Sequence, residues 1–287
     1  METFINSFWG SVDWTWRMIS FDVEWNNNYF YGLIIISLIA WGLELAFPWR
    51  KNQAAIRKDF WLDGFYMFFN FFVFSIVISG VYQLLSNGFE SIGLTMQSIG
   101  LIDLSPLHSG IGLLVFFIIN DFVQWFTHIM LHKFPIFWRF HKVHHSVQEM
   151  GFAAHLRYHW MENILYKPLK TLVVMLLGGF EPEQAFIVHF ITIAIGHLNH
   201  ANVKITWGPL KYLFNNPVMH LWHHSKDLPE GQNPGVNFGI SLSLWDYVFK
   251  TAHVPEDSGT IKLGFDGIED YPTSNFFKQL ASGFGNR

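Results

Sequence analysis

Residues 120–146 read NDFVQWFTHIMLHKFPIFWRFHKVHHS, the end of an apolar run that leads into five histidines. The last part, HKVHHS, begins at His141. The same pattern, H-x-x-H-H-S, returns as HLWHHS from His220, 79 residues further along the chain. Thirteen of the 15 histidines lie between His128 and His224. This clustering requires a common cause.

The spacing of these histidines predicts that they share helical faces. Residues three or four positions apart on an α-helix lie on the same side, so each H-x-x-H-H triplet, and the pair in HIMLH, presents its imidazoles together. Converging neutral imidazoles are ligands for iron, zinc and copper. Eight of them exceed what one ion can use, so two metals with open positions are expected. The eight are His128, His132, His141, His144, His145, His220, His223 and His224.

The composition is typical of a membrane protein. Hydrophobic residues make up 51% of the 287, and only 14% are charged, against about 25% in an ordinary soluble domain. The formal net charge is −4 and no lysine- or arginine-rich block occurs, which argues against a nucleic-acid partner. The chain has no cysteine, so disulfides, iron–sulfur clusters and thiolate zinc sites are excluded. Any metal must be held by nitrogen and oxygen.

Three apolar runs are long enough to cross a bilayer, which takes about 20 residues of helix. They cover residues 29–47, 64–85 and 107–132. Two weaker runs, 163–178 and 183–198, are short for a full span and predict a hairpin or a tilted pair that crosses only in part. The predicted fold class is all-α, a multi-span transmembrane helical bundle with a cytoplasmic, histidine-rich helical cap.

Charge in the loops predicts the orientation. Basic residues follow the first, third and last runs, whereas the loop at 87–106 contains Glu90 and Asp103 but neither lysine nor arginine. Loops rich in lysine and arginine lie on the cytoplasmic side. The N-terminus is therefore expected outside and the clustered histidines inside. The chain is expected to be a multi-pass integral membrane protein of a bacterial inner membrane or the endoplasmic reticulum.

The histidine pattern resembles that of the fatty acid hydroxylase/sterol desaturase superfamily of integral-membrane di-iron oxygenases. The resemblance covers roughly residues 107–265. It is carried by the stretch quoted above and, in the right order, by HANV (200–203), NPVMHLWHHS (216–225) and NFGISLSLWDYVFKT (237–251).

The resemblance implies an O2-dependent lipid hydroxylase or desaturase, an oxidoreductase. In this family the histidine boxes bind two iron ions, cycling between Fe2+ and Fe3+. The irons activate O2, the co-substrate, for attack on an unactivated C–H bond of a lipid. The resemblance implies ligand roles for the eight histidines named above and for His200 in HANV.

Four segments are expected along the chain. Residues 1–28, rich in tryptophan, form an N-terminal interfacial segment. Residues 29–106 hold the first two transmembrane helices and an outer loop. Residues 107–265 form the histidine-box di-iron hydroxylase or desaturase domain, and residues 266–287 form a C-terminal tail.

Two further residues are candidates through their helical spacing. His197 lies one turn before His200 and is either a tenth ligand or a polar neighbour. Asp121 lies seven residues before His128 on the same helical face, where its carboxylate is expected to hold an imidazole N–H and fix the tautomer. The alternative for Asp121 is a polar lining of a water-filled cavity.

The segment RYHWMEN gives Arg157, His159 and Glu162 where members of the superfamily often show R-x-H-P-x-E. Trp160 stands at the proline position, which puts the local geometry in question. His159 is either a metal ligand or a group that holds a ligand from outside, and Glu162 is a candidate for the second role. His155, one turn earlier, is expected at the surface or near lipid headgroups.

The expected partners are a lipid substrate from the bilayer and a separate electron-transfer protein. No flavin fingerprint and no His-Pro-Gly-Gly segment of the cytochrome b5 type occurs in the sequence, so electrons must come from another chain. Basic residues near the histidines either dock that protein or reflect the positive-inside bias. They are Lys133, Arg139, Lys142, Lys204 and Lys211.

A lipid chain is expected to enter sideways, along a groove lined by the phenylalanine-rich second run and by Phe116, Phe117, Phe122 and Phe126. Sterol, fatty acyl amide, alkylglycerol ether and ornithine lipid are all compatible substrates. Two other classes of function stay open at this point: a membrane metal-binding protein, either a transporter or a haem protein, and a di-metal lipid enzyme without redox chemistry.

Overall fold

The computed structural model describes residues 1–94, 100–178, 182–228, 230–231, 234–255 and 261–285. These residues are mostly helical, as the sequence predicts. The α-helices are α1 (Glu2–Ile19), α2 (Tyr29–Ala46), α3 (Phe60–Ser91), α4 (Ser109–Lys133), α5 (Pro135–His145), α6 (Trp160–Leu176), α7 (Pro182–His200), α8 (Pro217–His223), α9 (Leu244–Val248) and α10 (Phe276–Ser282). The 3-10 turns are Trp25–Asn27, Phe152–Leu156, Gly208–Tyr212 and Ile268–Asp270.

Three helices, α2, α3 and α4, are long and apolar enough to cross a membrane. They match the three strong apolar runs of the sequence to within two residues at the ends of α2 and α4, and α3 contains the second run entirely. The 18 residues of α2 rise about 27 Å, close to the thickness of a hydrocarbon core. Helix α3 is longer than its apolar run, with 32 residues and a π-helical turn at Phe69–Val73. Within the described residues, α6 and α7, which contain the two weaker runs, do not meet the same standard.

The N-terminal segment folds as helix α1 and packs along α3. A side chain at Gly80 would meet the ring of Phe4, so the glycine permits the close approach of the two helices. The Ser79 hydroxyl donates to the Ser7 carbonyl at 3.2 Å. Trp9 on the other side of α1 is 62% exposed.

The expected outer loop at 87–106 is shorter than predicted, because α3 continues to Ser91. Residues 95–99 of that loop lie outside the described residues. Two short strands close the same end of the molecule: β1 (Ile102–Asp103) pairs in parallel with β2 (Leu177–Gly178), which follows α6.

The segment expected as a C-terminal tail packs into the body of the protein as far as it is described. The Tyr66 hydroxyl of α3 donates to the Gln279 side chain of α10 at 2.8 Å. Gln279 in turn donates to the Ser146 hydroxyl at 3.2 Å, just after α5. The rings of Tyr66 and Phe276 lie 4.9 Å apart. Helix α10 therefore ties α3 to α5.

A buried ion network holds the turn Phe152–Leu156 and the residues after it. Asp63 accepts hydrogen bonds from Arg57 and from Arg157, the latter at 2.9 Å, and all three side chains are buried. Arg157 also donates to the Ser146 hydroxyl at 3.0 Å. Breaking a buried ion pair on one side costs about 3–5 kcal/mol, so this network fixes the chain between α5 and α6.

Candidate metal centre

Helices α4, α5, α7 and α8 converge and bring histidines together. Helix α5 begins directly after α4, because Phe134 leaves helical geometry and Pro135 opens the next helix. Proline suits the first helical position, where no N–H is needed. Helix α8 begins in the same way: the Asn216 side chain accepts the Met219 N–H at 3.0 Å and Pro217 follows Asn216. These two starts fix the direction of each H-x-x-H-H triplet.

The structure collects nine histidines into two buried groups. Within each group the candidate ligand atoms lie within 4.8 Å of one another. The first group is His128, His132, His141, His145 and His223. The second group is His144, His200, His220 and His224. These are the eight histidines predicted from spacing together with His200.

Each triplet contributes to both groups. The first triplet gives its outer members, His141 and His145, to the first group and its middle member, His144, to the second. The second triplet divides the other way, because its middle member, His223, joins the first group while its outer members join the second. Adjacent residues on a helix point about 100° apart, so neighbouring histidines diverge. One shared face for a whole triplet was therefore too simple an expectation.

Backbone carbonyls orient two rings of the first group. The Nδ1 of His128 donates to the Phe238 carbonyl at 2.8 Å. The Nδ1 of His223 donates to the Val236 carbonyl at the same distance. Both acceptors lie in the segment between α8 and α9. Such contacts fix the tautomer and leave the Nε2 lone pair free for a metal ion.

Glu162 orients a third ring of this group. Its carboxylate accepts the Nδ1 hydrogen of His141 at 2.9 Å. This is the contact that the sequence suggested for Glu162. Burial raises the pKa of Glu162 to about 8, and a cation bound beyond His141 favours the ionised form of the carboxyl group.

The second group is oriented by the backbone as well, but less completely. The Nδ1 of His144 donates to the Arg157 carbonyl at 3.1 Å, and the Nδ1 of His200 donates to the Gly196 carbonyl at 2.7 Å. In contrast, the Nδ1 atoms of His220 and His224 are buried without a hydrogen-bond partner among the described residues.

The nitrogens that face inward fit a bound cation. His128 and His141 both donate through Nδ1, so their Nε2 atoms, 3.2 Å apart, are both acceptors. The Nε2 atoms of His144 and His200, 3.4 Å apart, face each other in the same way. Such lone pairs repel unless a positive charge lies between them. The buried Nε2 of His223 has no partner among the described residues. One metal ion in each group would satisfy these atoms.

Burial keeps these imidazoles neutral, the form that binds metals. The pKa of His144 falls to about 3, chiefly because burial penalises the charged ring. Burial is also the largest cause of a lowered pKa, and neighbouring imidazoles add to it, in His141, His145, His200, His220, His223 and His224.

Comparison with known protein families matches the part of the chain that contains the histidine groups. Residues 113–251 match the fatty acid hydroxylase family, and this range contains all nine histidines of the two groups. This chain carries a fatty acid hydroxylase domain. The family predicted from the histidine boxes is confirmed.

The curated relatives of this hydroxylase domain have names that refer to different lipids. The chain is 33% identical over 171 residues to the ornithine lipid hydroxylase OlsE of Rhizobium tropici, covering 59% of this chain and 49% of that protein. It is 27% identical over 135 residues to human alkylglycerol monooxygenase, covering 46% and 28%. It is 25% identical over 146 residues to methylsterol monooxygenase 1-1 of Arabidopsis thaliana, covering 48% and 46%. The chain thus spans half or less of these relatives. No solved structure matches it significantly.

A cavity of about 1300 Å³ opens beside the histidines of the hydroxylase domain. Members of both groups line it: His128, His141, His144, His200 and His220. Away from them, helix α3 lines the cavity with Phe71, Ile78, Leu85 and Phe89. The second apolar run therefore lines the cavity, as expected.

The phenylalanines of α4 do not line it. Phe116 packs in a core cluster with Leu104 and Val173, and the ring of Phe122 lies 4.9 Å from that of Trp245. Phe126 is 49% exposed. The groove predicted along α4 is therefore wrong, because these side chains point to other faces of the helix.

Asp121 does not hold an imidazole, contrary to expectation. Its carboxylate accepts the backbone N–H groups of Ser241 at 3.1 Å and Leu242 at 3.2 Å, and the indole N–H of Trp245 at 3.0 Å. Its side chain is completely buried. Asp121 therefore fastens the segment before α9 to α4, and backbone carbonyls take over the role expected for it at His128.

His159 lies outside both groups and caps helix α6. Its Nδ1 accepts the Met161 N–H at 3.1 Å, and its Nε2 donates to the Leu280 carbonyl at 2.9 Å. Glu162 completes a reciprocal cap by accepting the His159 backbone N–H at 3.3 Å. With both nitrogens engaged, His159 has none left for a metal. Trp160 is the first residue of α6, at the position where the R-x-H-P-x-E pattern has proline. The helix therefore begins there with tryptophan in place of proline.

His197 also lies outside both groups. Its Nε2 is 3.1 Å from the Ser37 hydroxyl of α2, and its Nδ1 is 2.8 Å from the Nδ1 of His155. His155 itself lines the cavity and packs against Gly196. The expectation of a surface position for His155 is wrong, because the turn that carries it folds inward against α7.

Asp246, for which no role is predicted from the sequence, supports the first group indirectly. It accepts the backbone N–H groups of Phe238 at 2.9 Å and Gly239 at 2.8 Å, and the indole N–H of Trp125 at 3.0 Å. The carbonyl of Phe238 orients His128. A lone acidic residue in the apolar segment SLSLWDYVF is the sequence signal that could have identified it.

Proposed function

We propose that this chain is a multi-pass, membrane-bound di-iron oxygenase that hydroxylates or desaturates an unactivated C–H position of a lipid. It would use O2 and electrons from a separate donor protein. One observation carries the proposal: two adjoining groups of neutral histidines contribute to the lining of a large, lipid-sized cavity.

The nine histidines would hold two irons, four imidazoles on one and five on the other. The bound irons would supply the activation of O2 and the attack on the C–H bond. The chain's own part is to hold the rings. Glu162 and the carbonyls of Phe238, Val236 and Arg157 keep the Nδ1 hydrogens outward, so that the Nε2 atoms stay directed inward.

The cavity would hold the lipid and exclude water. Its lining on α3 runs from Phe71 to Phe89, about 27 Å at 1.5 Å per residue. An extended lipid chain fits this length, with the carbon to be oxidised beside the histidines. Apolar side chains there remove water from the reacting centre, which protects it from side reactions.

The membrane arrangement supports a substrate that comes from the bilayer. Helices α2, α3 and α4 would span, and the bias of basic residues would place the histidines on the cytoplasmic side. Residues 107–265 would act as the catalytic domain. No electron-carrying cofactor motif occurs in the sequence, so a separate protein would deliver the electrons.

The proposal is tested on the purified protein in detergent or nanodiscs. Iron per chain is measured in the wild type, in a His144→Ala, His223→Ala double variant and in a His253→Ala control. O2 consumption and lipid products are then followed with an ornithine lipid, an alkylglycerol ether and a methylsterol in separate assays.

We expect about two irons per chain in the wild type and in the control, one for each histidine group. We expect none in the double variant. An oxidised product from one lipid should accompany the two irons. Metal that survives the double substitution, or a haem, would contradict the assignment of ligands. Two irons without O2-dependent product from any lipid would contradict the reaction.

A further inference from the structure

The turn Gly208–Tyr212 and helix α9 pack together on one side of the hydroxylase domain. The Ser243 N–H donates to the Leu213 carbonyl at 3.0 Å, and the Ser243 hydroxyl donates to the Lys211 carbonyl at 2.6 Å. The rings of Tyr212 and Tyr247 lie 4.8 Å apart. Residues 207–213 and 244–250, here called the flank, therefore form one unit.

The flank is fastened to α4 well inside that helix. Asp121 binds the indole of Trp245 at 3.0 Å, and the rings of Trp125 and Phe249 stack at 4.6 Å. Asp121 lies 12 residues before Lys133, the end of α4, which is about 18 Å along the axis. If α4 crosses the bilayer, the flank cannot stand clear of the membrane surface.

The outer surface of the flank is apolar. Four large side chains are more than half exposed: Leu210 at 55%, Tyr212 at 56%, Val248 at 58% and Phe249 at 52%. Burying such a side chain is worth about 1.5–3 kcal/mol, so their joint exposure to water is unfavourable. Phe126 of α4, 49% exposed, is four residues from Phe122, whose ring lies 6.3 Å from that of Phe249. The patch therefore continues the apolar surface of a candidate span.

Basic residues border this apolar surface. Lys250 is exposed at the end of the second flank segment. Lys204 is exposed three residues before the first segment, with its ammonium group 5.8 Å from the Trp49 ring. Lys211 lies within the flank, with its ammonium group 5.4 Å from the Tyr212 ring. Aromatic and aliphatic side chains edged by lysines are typical of segments that lie in the membrane interface. The positive charges match the phosphates of anionic lipids.

We propose that the flank lies in the boundary between headgroups and acyl chains on the histidine side of the membrane. Leu210, Val248 and Phe249 would enter the acyl region, and Lys204 and Lys250 would bind lipid phosphates. The proposal rests on the membrane part of the proposed function, the crossing of α4, and not on the metals or the reaction. Because Gly208–Tyr212 leads directly into Asn216 and α8, the contact would set the height of three histidines above the bilayer.

The chain has no cysteine, so a single introduced cysteine can be labelled at one position. Leu210→Cys and Val248→Cys variants carry a nitroxide in nanodiscs that contain anionic lipid. The reference sites are Leu114→Cys, 56% exposed on α4, and Asp266→Cys, exposed in a loop outside the flank. Relaxation of the label by O2, which concentrates in lipid, is compared with relaxation by a water-soluble nickel chelate.

The labels at 210 and 248 should be relaxed more by O2 than by the nickel chelate, as the label at 114 is expected to be. The label at 266 should show the opposite preference. Water-like behaviour at 210 and 248 with lipid-like behaviour at 114 would overturn the proposal and leave the spanning of α4 intact. Low access to both reagents at 210 and 248 would mean that protein, either a second copy or an electron donor, covers the flank, and would also overturn it. Water-like behaviour at 114 would contradict the membrane arrangement itself.

The lysines are tested in a second comparison. Lys204→Gln with Lys250→Gln should move the label at 248 toward the water-like value in anionic nanodiscs and leave it unchanged in zwitterionic ones. An equal shift in both lipids, or none in either, would contradict binding of lipid phosphates.

Discussion

The two histidine groups are built from the same sequence pattern but differ in number and in support. The first has five imidazoles and the second has four. Each H-x-x-H-H triplet gives two histidines to one group and one to the other, in opposite proportions. A histidine box in this protein therefore connects the two groups, each of which could hold a metal ion. The adjacent histidines, about 100° apart on the helix, are what make the connection.

The groups also differ in what holds them from outside. In the first, His128, His141 and His223 each donate Nδ1 to a carbonyl or a carboxylate. In the second, the Nδ1 atoms of His220 and His224 have no partner among the described residues. Outer contacts of this kind raise metal affinity by orienting the ring. The second group should hold its ion less tightly.

The largest effect is expected from two neighbouring ligands. His144→Ala should remove one iron from the second group, and His145→Ala should remove one from the first, because adjacent residues serve different groups. Each variant should lose activity. Mössbauer spectra of protein loaded with iron-57 should show a different site missing in each.

Pairs of substitutions provide the control for this prediction. His144→Ala with His224→Ala should lose no more iron than His144→Ala alone, whereas His144→Ala with His223→Ala should lose both. If the spectra of the 144 and 145 variants lack the same site, the division of the triplets is wrong.

The second-largest effect is expected in the rate at which the two groups lose metal. A chelator is expected to empty the second group roughly ten times faster or more, the range that missing outer contacts produce. The second group is also the more accessible, because three of its four histidines line the cavity. Samples are taken at intervals after the chelator is added. The iron content and the Mössbauer spectrum of each sample give the rate of iron loss from each group. A single rate for both irons would show that the outer contacts do not matter.

Glu162→Gln should weaken the first group selectively. The amide keeps the shape of the side chain but no longer offers two carboxylate oxygens, so His141 loses a charge-assisted hydrogen bond. Metal affinity of the first group should fall about 10- to 100-fold, with the second unchanged, in a titration of metal-free protein. Glu149→Gln, at an exposed position, is the matched control. Equal weakening of both groups would mean that Glu162 supports the fold as a whole.

Local periodicity explains what the sequence could predict. The spacing of His128 and His132, and of the triplets, depends only on helix geometry, and the apolar runs depend only on length and composition. The helices and the apolar runs carried over to the structure, whereas the single shared face of each triplet did not. The membership of the two groups was beyond reach, because it depends on how α5 and α8 face each other.

Long-range contacts explain the wrong expectations. The helical spacing placed Asp121 on the face of His128, but a segment 120 residues away supplies backbone N–H groups that bind its carboxylate instead. For His159 the sequence left two roles open, a metal ligand or a group that supports one, and the Leu280 carbonyl of α10 accepts the Nε2 hydrogen that a ligand role would need to give up. Neither partner is near in sequence, and neither belongs to a pattern that periodicity can show.

A moderate effect is expected at His197, the suggested tenth ligand. His197→Ala should keep both irons, since the ring lies outside both groups. It should destabilise the fold by about 1–3 kcal/mol, because Ser37 and His155 each lose a buried partner. Thermal unfolding of the iron-loaded protein measures this loss. Loss of one iron from the variant would instead make His197 a ligand.

The smallest effect is expected at His253, which lies close to the centre in sequence but contributes no ligand. Its ring packs edge-on against Trp222 at 4.8 Å, and its backbone N–H donates to the Asn237 side chain at 2.7 Å, a bond that the substitution to alanine keeps. His253→Ala should therefore change stability by no more than about 0.5 kcal/mol, as at an ordinary surface position, and leave both irons in place. Trp222 lies between His220 and His223 in the sequence. A shift in the spectrum of either iron would therefore show that the packing of His253 against Trp222 affects these histidines, and His253 would then have to be counted as part of the centre.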